Sequence, residues 1–126
     1  MTKKQIISST RVFPSSNPLS PAVRVGDLLF LSGQIGRDPK TGQVADDFAP
    51  QARQTFENIK MLLEDAGSSM DNLVKVTVLL KRPEDLAAMN EIYREYITRD
   101  FPARSSYTVG LYNNILIEVE VVASIL

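Results

Sequence analysis

The 126-residue chain contains no cysteine, no histidine and no tryptophan. The missing cysteine and histidine exclude disulfides, thiol nucleophiles, Ser-His-Asp triads and histidine-based metal sites. Chemistry is therefore left to carboxylates, lysine, arginine, tyrosine, hydroxyl groups, amides and the backbone.

An excess of either charge is also missing, because 14 basic and 15 acidic residues give a formal net charge of −1. This balance argues against nucleic acid or an acidic membrane surface as the main partner. No apolar run approaches the roughly 20 residues that span a bilayer, and no apolar stretch of signal-peptide length follows the N-terminal lysines. We expect one cytoplasmic domain, residues 1–126, with a sizeable core.

The pattern of apolar residues predicts strands and helices in the order β-β-β-α-β-α-β-β. The predicted strands span residues 3–8, 22–25, 28–31, 73–80, 105–109 and 115–124, and the predicted helices span residues 47–66 and 83–99. Gly26-Asp27, between the second and third strands, suits a type II′ hairpin turn. The predicted fold class is α+β, with both helices on one face of a single mixed sheet.

Each predicted helix has an apolar stripe at steps of three and four residues. In the first helix the stripe comprises Phe48, Ala52, Phe56, Ile59, Leu63 and Ala66, and the polar side comprises Gln51, Arg53, Gln54, Glu57, Lys60 and Glu64. Asp46 or Asp47 is placed to cap this helix, and Gly67 to end it. The buried stripe of the second helix comprises Leu86, Met89, Tyr93 and Ile97, with Asn90 beside it.

One face of the predicted sheet is left without a helix. A strand puts alternate residues on opposite faces, and the helix-covered face of the fourth strand comprises Val74, Val76, Val78 and Leu80. The uncovered face mixes apolar and charged residues, namely Lys75, Thr77, Leu79, Glu118, Glu120 and Val122. Because this face is too apolar for solvent and too polar for a core, we expect copies of the chain to associate through it.

One arginine and two glutamates lie in or next to the last two predicted strands, in core-like surroundings. Arg104 precedes the fifth predicted strand, and Glu118 and Glu120 alternate with apolar residues in the sixth. Burying such charges without partners is costly. The pattern fits either a structural ion pair or a site that binds an anion and handles a proton. The glycines of Ser32-Gly-Gln-Ile-Gly36 allow close approach of either a ligand or another strand.

Five segments in order carry a resemblance: Ser32-Gly-Gln-Ile35, Val74-Lys-Val-Thr-Val78, Asn90-Glu-Ile-Tyr93, Phe101-Pro-Ala-Arg-Ser105 and Ile117-Glu-Val-Glu120. Over nearly its whole length the chain resembles the RidA (YjgF-type) family of imine and enamine deaminases. The resemblance implies a chorismate-mutase-like α+β domain that assembles as a homotrimer around a central barrel, with clefts between subunits. It also implies hydrolysis of 2-aminoacrylate and related 2-imino acids to 2-oxo acids and ammonium, without a cofactor or a metal.

The resemblance also implies roles for individual residues. Arg104 matches the arginine that binds the substrate carboxylate, and Glu118 matches the glutamate that orients water and carries a proton. Ser106 matches a position whose backbone N–H holds the same carboxylate. Asn90 and Gly33 match positions that line the cleft.

The chain departs from the family pattern at three places. Leu19 stands where a tyrosine is usual, and Tyr112 stands where an aliphatic residue is usual. The loop before the last strand is one residue shorter, so the match leaves open whether Glu118 or Glu120 is the working glutamate. The alternative function is a non-catalytic trimer that binds or senses small 2-oxo acids and other carboxylates. A role on RNA, attached to some relatives, is disfavoured by the near-neutral charge.

Overall fold

A computed structural model describes residues 3–125 and contains a six-stranded mixed sheet with two α-helices. The strands are β1 (Gln5–Ile7), β2 (Ala22–Val25), β3 (Leu28–Leu31), β4 (Leu73–Leu80), β5 (Ala103–Thr108) and β6 (Ile117–Ser124). The helices are α1 (Phe48–Asp65) and α2 (Leu86–Tyr96), with short 3₁₀ turns at Met70–Asn72 and Pro83–Asp85. The predicted order of elements and the α+β class are confirmed.

The strands lie in the order β1-β2-β3-β6-β4-β5. Only β4 and β5 are parallel among these neighbours, and the other pairs are antiparallel. Gly26 has a positive φ of 60° and Asp27 does not, as a type II′ turn between β2 and β3 requires. β5 begins two residues earlier than predicted, so Arg104 lies inside an edge strand.

The two central strands and the helices enclose the hydrophobic core. Alternate residues of β4 and β6 are buried against α1 and α2, namely Val76, Val78, Leu80, Ile117, Val119, Val121 and Ala123. The prediction that Val74 belongs to this face is wrong, because a β-bulge between Leu73 and Lys75 shifts the alternation. Val74 is consequently 47% exposed and Leu73 is buried.

The polar side of α1 also differs from the prediction, because Gln51 is fully buried. Its amide nitrogen donates hydrogen bonds to the carbonyls of Ala45 (2.8 Å) and Asn114 (3.0 Å). Its side-chain oxygen accepts from the backbone N–H groups of Leu116 and Ile117. The segment that follows β3 lies directly on this side of α1, which is why the side chain does not reach solvent.

One glycine and one asparagine mark this close contact between the segment and α1. A Cβ on Gly36 would overlap the backbone carbonyl of Gln51. The side-chain amide of Asn58, also buried, donates to the carbonyls of Ile35 (3.1 Å) and Arg37 (2.9 Å). The glycine-rich segment therefore packs backbone against helix at this point.

The helix ends confirm some predictions and correct others. Asp47 is the N-cap residue of α1 but makes no side-chain capping bond, and Gly67 follows the helix with a φ of 84°. α2 ends at Tyr96 rather than Arg99. Leu86, predicted to be buried, is 41% exposed at the first residue of α2, directly after the 3₁₀ turn.

No helix within residues 3–125 has the length and apolar character needed to cross a membrane.

Replacement of Gln51 by leucine tests this buried amide. The variant leaves two carbonyls and two N–H groups without their partner, so we expect the free energy of unfolding to fall by about 3 kcal/mol. Urea denaturation measures this change. Gln54, on the same helix, is half-buried and makes one side-chain bond to Asn58, so Gln54→Leu should cost at most about 1 kcal/mol. Equal losses in the two variants would contradict a special role for Gln51.

Candidate functional site

Arg104 lies over an aromatic ring at the edge of the sheet. Its guanidinium carbon is 4.8 Å from the centroid of the Tyr93 ring, within the range of a cation–π contact. The two side chains line an open cleft of about 230 Å³. The complete lining is Asn90, Tyr93, Arg94, Phe101, Pro102 and Arg104. The stacked guanidinium is exposed, so its N–H groups remain free to bind an anion.

The intramolecular ion pair between Arg104 and a glutamate of β6 is absent from residues 3–125. The sheet register explains this absence. Arg104 pairs with Val76, whose side chain lies on the helix-covered face. Glu118 and Glu120 lie on the opposite face, in register with Leu79 and Thr77. One copy of the chain therefore holds the arginine and the glutamates on different sides of its sheet.

Two further predicted site residues share the side of Arg104. Ser106 is two residues farther along β5, so its side chain lies on the same face, where it is exposed. Asn90 is half-buried on α2 and lines the cleft directly. The structure thus brings Arg104, Ser106 and Asn90 to one region.

The other two predicted residues, Gly33 and Glu118, form a second group. A Cβ on Gly33 would overlap the Glu118 carboxylate, so the carboxylate lies against the bare backbone of this glycine. The backbone of Gln34 pairs with Val119 through bonds of 2.8 and 2.9 Å, which fixes the glycine beside β6. Glycine at position 33 therefore provides the space that the carboxylate occupies.

Leu19 belongs to the same neighbourhood as Gly33. Ser32 donates from its hydroxyl to the carbonyl of Ser20 (2.6 Å) and from its backbone N–H to the carbonyl of Pro21 (3.0 Å). These bonds hold the N-terminal segment next to Gly33. Leu19 directly precedes the bonded Ser20 and is 51% exposed, so it presents an apolar surface to solvent.

The environment of Glu118 favours its protonated form. Partial burial raises the pKa of its carboxyl above the ordinary value of 4.5, and the negative charge of Glu120 raises it further. Within residues 3–125, Glu118 has no cation or hydrogen-bond donor to offset these effects. A carboxylate with a raised pKa is suited to exchange a proton with a reacting group.

Tyr93 was predicted only as a core residue. It packs in the core, and its ring also lies beneath the Arg104 guanidinium. The side chain is 4% exposed and meets Phe56 edge to face, with ring centroids 5.9 Å apart. Burial raises the pKa of the Tyr93 hydroxyl, and the adjacent charge of Arg104 lowers it in part. The hydroxyl has no hydrogen-bond partner among the described residues. The sequence contains one indication that Tyr93 lines the cleft: Asn90 and Tyr93 are three residues apart, which places both side chains on one side of α2.

The sheet face opposite the helices carries a second, smaller cleft of about 170 Å³. Its lining combines apolar and charged side chains: Phe30, Leu31, Lys75, Thr77, Glu120, Val121 and Val122. Phe30 is exposed there, and Lys75 donates to the hydroxyl of Ser105 at 3.1 Å. This combination of apolar and charged side chains on the uncovered face is the feature from which we predicted that copies of the chain associate.

Residues 10–125 match the model of the family described as Endoribonuclease L-PSP. The chain is 43% identical over 122 residues to a RutC family protein of Pyrococcus horikoshii, covering 95% of this chain and 97% of that protein. It is 40% identical over 122 residues to the human 2-iminobutanoate/2-iminopropanoate deaminase, covering 95% and 89%. The crystal structure of RidA from an Antarctic Psychrobacter superposes with a TM-score of 0.92 at 35% identity, covering 95% of this chain and 98% of that chain.

Replacement of Glu118 by glutamine tests the environment of this carboxyl. Because the folded state raises the pKa, ionisation costs stability as the pH rises above the ordinary value of 4.5. Glu118→Gln should therefore raise the melting temperature at pH 7, and the difference should shrink at a pH below 4.5, where the wild-type carboxyl is also neutral.

Thermal unfolding at both pH values measures the effect. Glu91→Gln, at an exposed position on α2, is the control and should leave the melting temperature unchanged. A lower melting temperature for Glu118→Gln at pH 7 would contradict the prediction, because it would mean that the ionised Glu118 carboxylate makes a favourable contact in the folded protein.

Proposed function

This chain belongs to the Endoribonuclease L-PSP family, the family of YjgF and RidA, and from that premise we propose that it hydrolyses reactive 2-imino and enamine acids of the 2-aminoacrylate type. The products are a 2-oxo acid and ammonium. The observation that carries the proposal is the exposed Arg104 guanidinium, which is stacked on Tyr93 and has no carboxylate partner among residues 3–125. The deaminase name of the human relative supports the same reaction class.

Arg104 binds the substrate carboxylate in this proposal. A guanidinium group offers parallel N–H donors that match the two oxygens of a carboxylate, and its charge persists at every physiological pH. The backbone N–H of Ser106 and the amide of Asn90 assist on the same side. Gly33 leaves room for the Glu118 carboxylate beside its backbone, and this carboxylate faces the other end of the substrate in the proposal.

Glu118 activates the water and transfers the protons in this proposal. The enamine form first takes a proton from solvent on carbon to become the iminium, the protonated imine. In its ionised form Glu118 accepts a proton from water as the oxygen attacks the iminium carbon, which gives a neutral tetrahedral carbinolamine. It then returns that proton to the nitrogen, the C–N bond breaks, and the departing ammonia takes the hydroxyl proton, so that the 2-oxo acid and ammonium form. Because imine hydrolysis proceeds unaided, positioning and modest acid–base help supply the catalysis.

The two groups meet between copies of the chain. Arg104 and Glu118 lie on opposite faces of the sheet, so a complete centre requires Arg104 of one copy and Glu118 of another. The exposed, mixed face of the sheet supports association, and we propose a homotrimer. Leu19, in the segment that Ser32 holds through Ser20 and Pro21, then changes substrate preference or rate, while carboxylate binding at Arg104 persists.

Imine trapping tests the reaction. A serine or threonine dehydratase generates 2-aminoacrylate in situ, and semicarbazone formation reports the imine that remains. We expect the protein to suppress trapping, Arg104→Ala to lower kcat/KM by roughly 100-fold or more because two charge-assisted bonds are lost, and Glu118→Gln to lower kcat by about 10²–10⁴-fold.

Arg99→Ala is the matched control, because Arg99 is exposed and does not line the cleft. Unchanged trapping with the wild type would refute deamination of this substrate. Saturable binding of 2-oxobutyrate without turnover of any imine would instead support the alternative of a non-catalytic carboxylate binder.

The pH dependence separates the two glutamates. The charge of Glu120 raises the pKa of Glu118, so Glu120→Gln should lower that pKa and move the acidic limb of the kcat/KM profile to lower pH. Glu118→Gln should remove the limb together with most of the activity. The reverse pattern, with turnover lost only in Glu120→Gln, would assign the working carboxylate to Glu120.

A further inference from the structure

The cleft that holds Arg104 contains a second arginine. Arg94 lines it from α2, four residues after Asn90 and so on the same side of the helix. The remaining lining residues are an asparagine, two aromatic residues and a proline, and none is acidic. Two cations thus share one small cleft without a carboxylate between them.

Three other arginines of the chain form close ion pairs, whereas Arg37 and Arg99, like the two arginines of the cleft, form none within residues 3–125. Arg11 binds Glu64 and Asp65, Arg53 binds Glu95, and Arg82 binds Asp85, each with an N–O distance of 3.1 Å or less. Within residues 3–125, neither Arg94 nor Arg104 takes part in an ion pair. An anion bound in a cleft lined by two positive charges is attracted by both of them.

We infer that Arg94 is a second anion-binding group, and that the cleft selects ligands with two carboxylates over ligands with one. This inference deepens the proposed function: Arg104 binds the carboxylate next to the imine carbon, and Arg94 binds the carboxylate at the far end. The substrate class is then that of 2-iminoglutarate and 2-iminosuccinate. The cleft volume of about 230 Å³ is smaller than the roughly 300–1,000 Å³ of sites for drug-sized ligands and suits a small metabolite.

Arg94 also lies in the last turn of α2, where a positive charge stabilises the end of a helix. That structural role predicts an effect on stability and none on ligand choice. The two roles are therefore separated by comparing a dicarboxylate with a monocarboxylate of similar chemistry.

Isothermal titration calorimetry with 2-oxoglutarate and 2-oxobutyrate makes this comparison with stable product analogues. We expect wild type to bind 2-oxoglutarate more tightly. Arg94→Gln should weaken 2-oxoglutarate binding about tenfold and change 2-oxobutyrate binding by no more than about twofold. Arg94→Lys, which keeps the charge and loses the planar fork, should lie between wild type and Arg94→Gln. Arg99→Gln, at the exposed position outside the cleft, should bind both ligands like wild type.

Equal affinity of wild type for the two ligands would overturn the inference, and so would an equal loss for both ligands in Arg94→Gln. The proposed reaction is tested separately with imines that an amino-acid oxidase generates from glutamate and alanine. If the dicarboxylate is preferred in titrations and no imine is hydrolysed, the ligand class stands and the deaminase proposal fails. If both imines are hydrolysed at equal kcat/KM and Arg94→Gln changes neither, the deaminase proposal stands and the ligand class fails.

Discussion

The register of β6 against β4 determines which side chains enter the core and which face outward. Val119 lies opposite Val78 and Val121 opposite Val76, and all four are buried beneath the helices. A slip of one residue would reverse every side chain of β6 and bring its glutamates into the core. The apolar face therefore holds the strand in the one register that keeps Glu118 outside. Core packing and placement of the candidate reactive group are consequences of the same pairing.

Gln51 links this sheet to the loops around it. Its side-chain oxygen accepts from the N–H groups at the start of β6, and its amide donates to Ala45 and Asn114 in two loops. Ile117, one of these donors, immediately precedes Glu118. A buried amide that satisfies four backbone groups holds the chain more specifically than an apolar side chain of equal size. The entry of β6 into the sheet is thereby fixed just before the residue that faces the glycine segment.

The order of elements, the hairpin at Gly26 and the outward glutamates were predicted because each depends on neighbours in sequence. The errors at Val74 and Gln51 have non-local causes: a bulge set by strand pairing, and a segment that covers a helix. The separation of Arg104 from Glu118 has the same origin. Periodicity in the sequence shows which residues of one strand share a face. Whether residues of β5 and β6 lie on the same face of the sheet depends on how each strand pairs with β4, which the sequence alone does not show.

The absence of histidine leaves the chain with carboxylates as its plausible proton carriers near neutral pH. A fully solvated glutamate is a weak base, and burial raises the pKa of Glu118 with help from Glu120. The same burial means that ionised Glu118 destabilises the folded state, since no cation within residues 3–125 offsets its negative charge. The backbone accommodates it through the missing side chain of Gly33. A residue that folding does not need in its charged form, in space that a glycine keeps open, is a candidate for chemistry rather than for structural support.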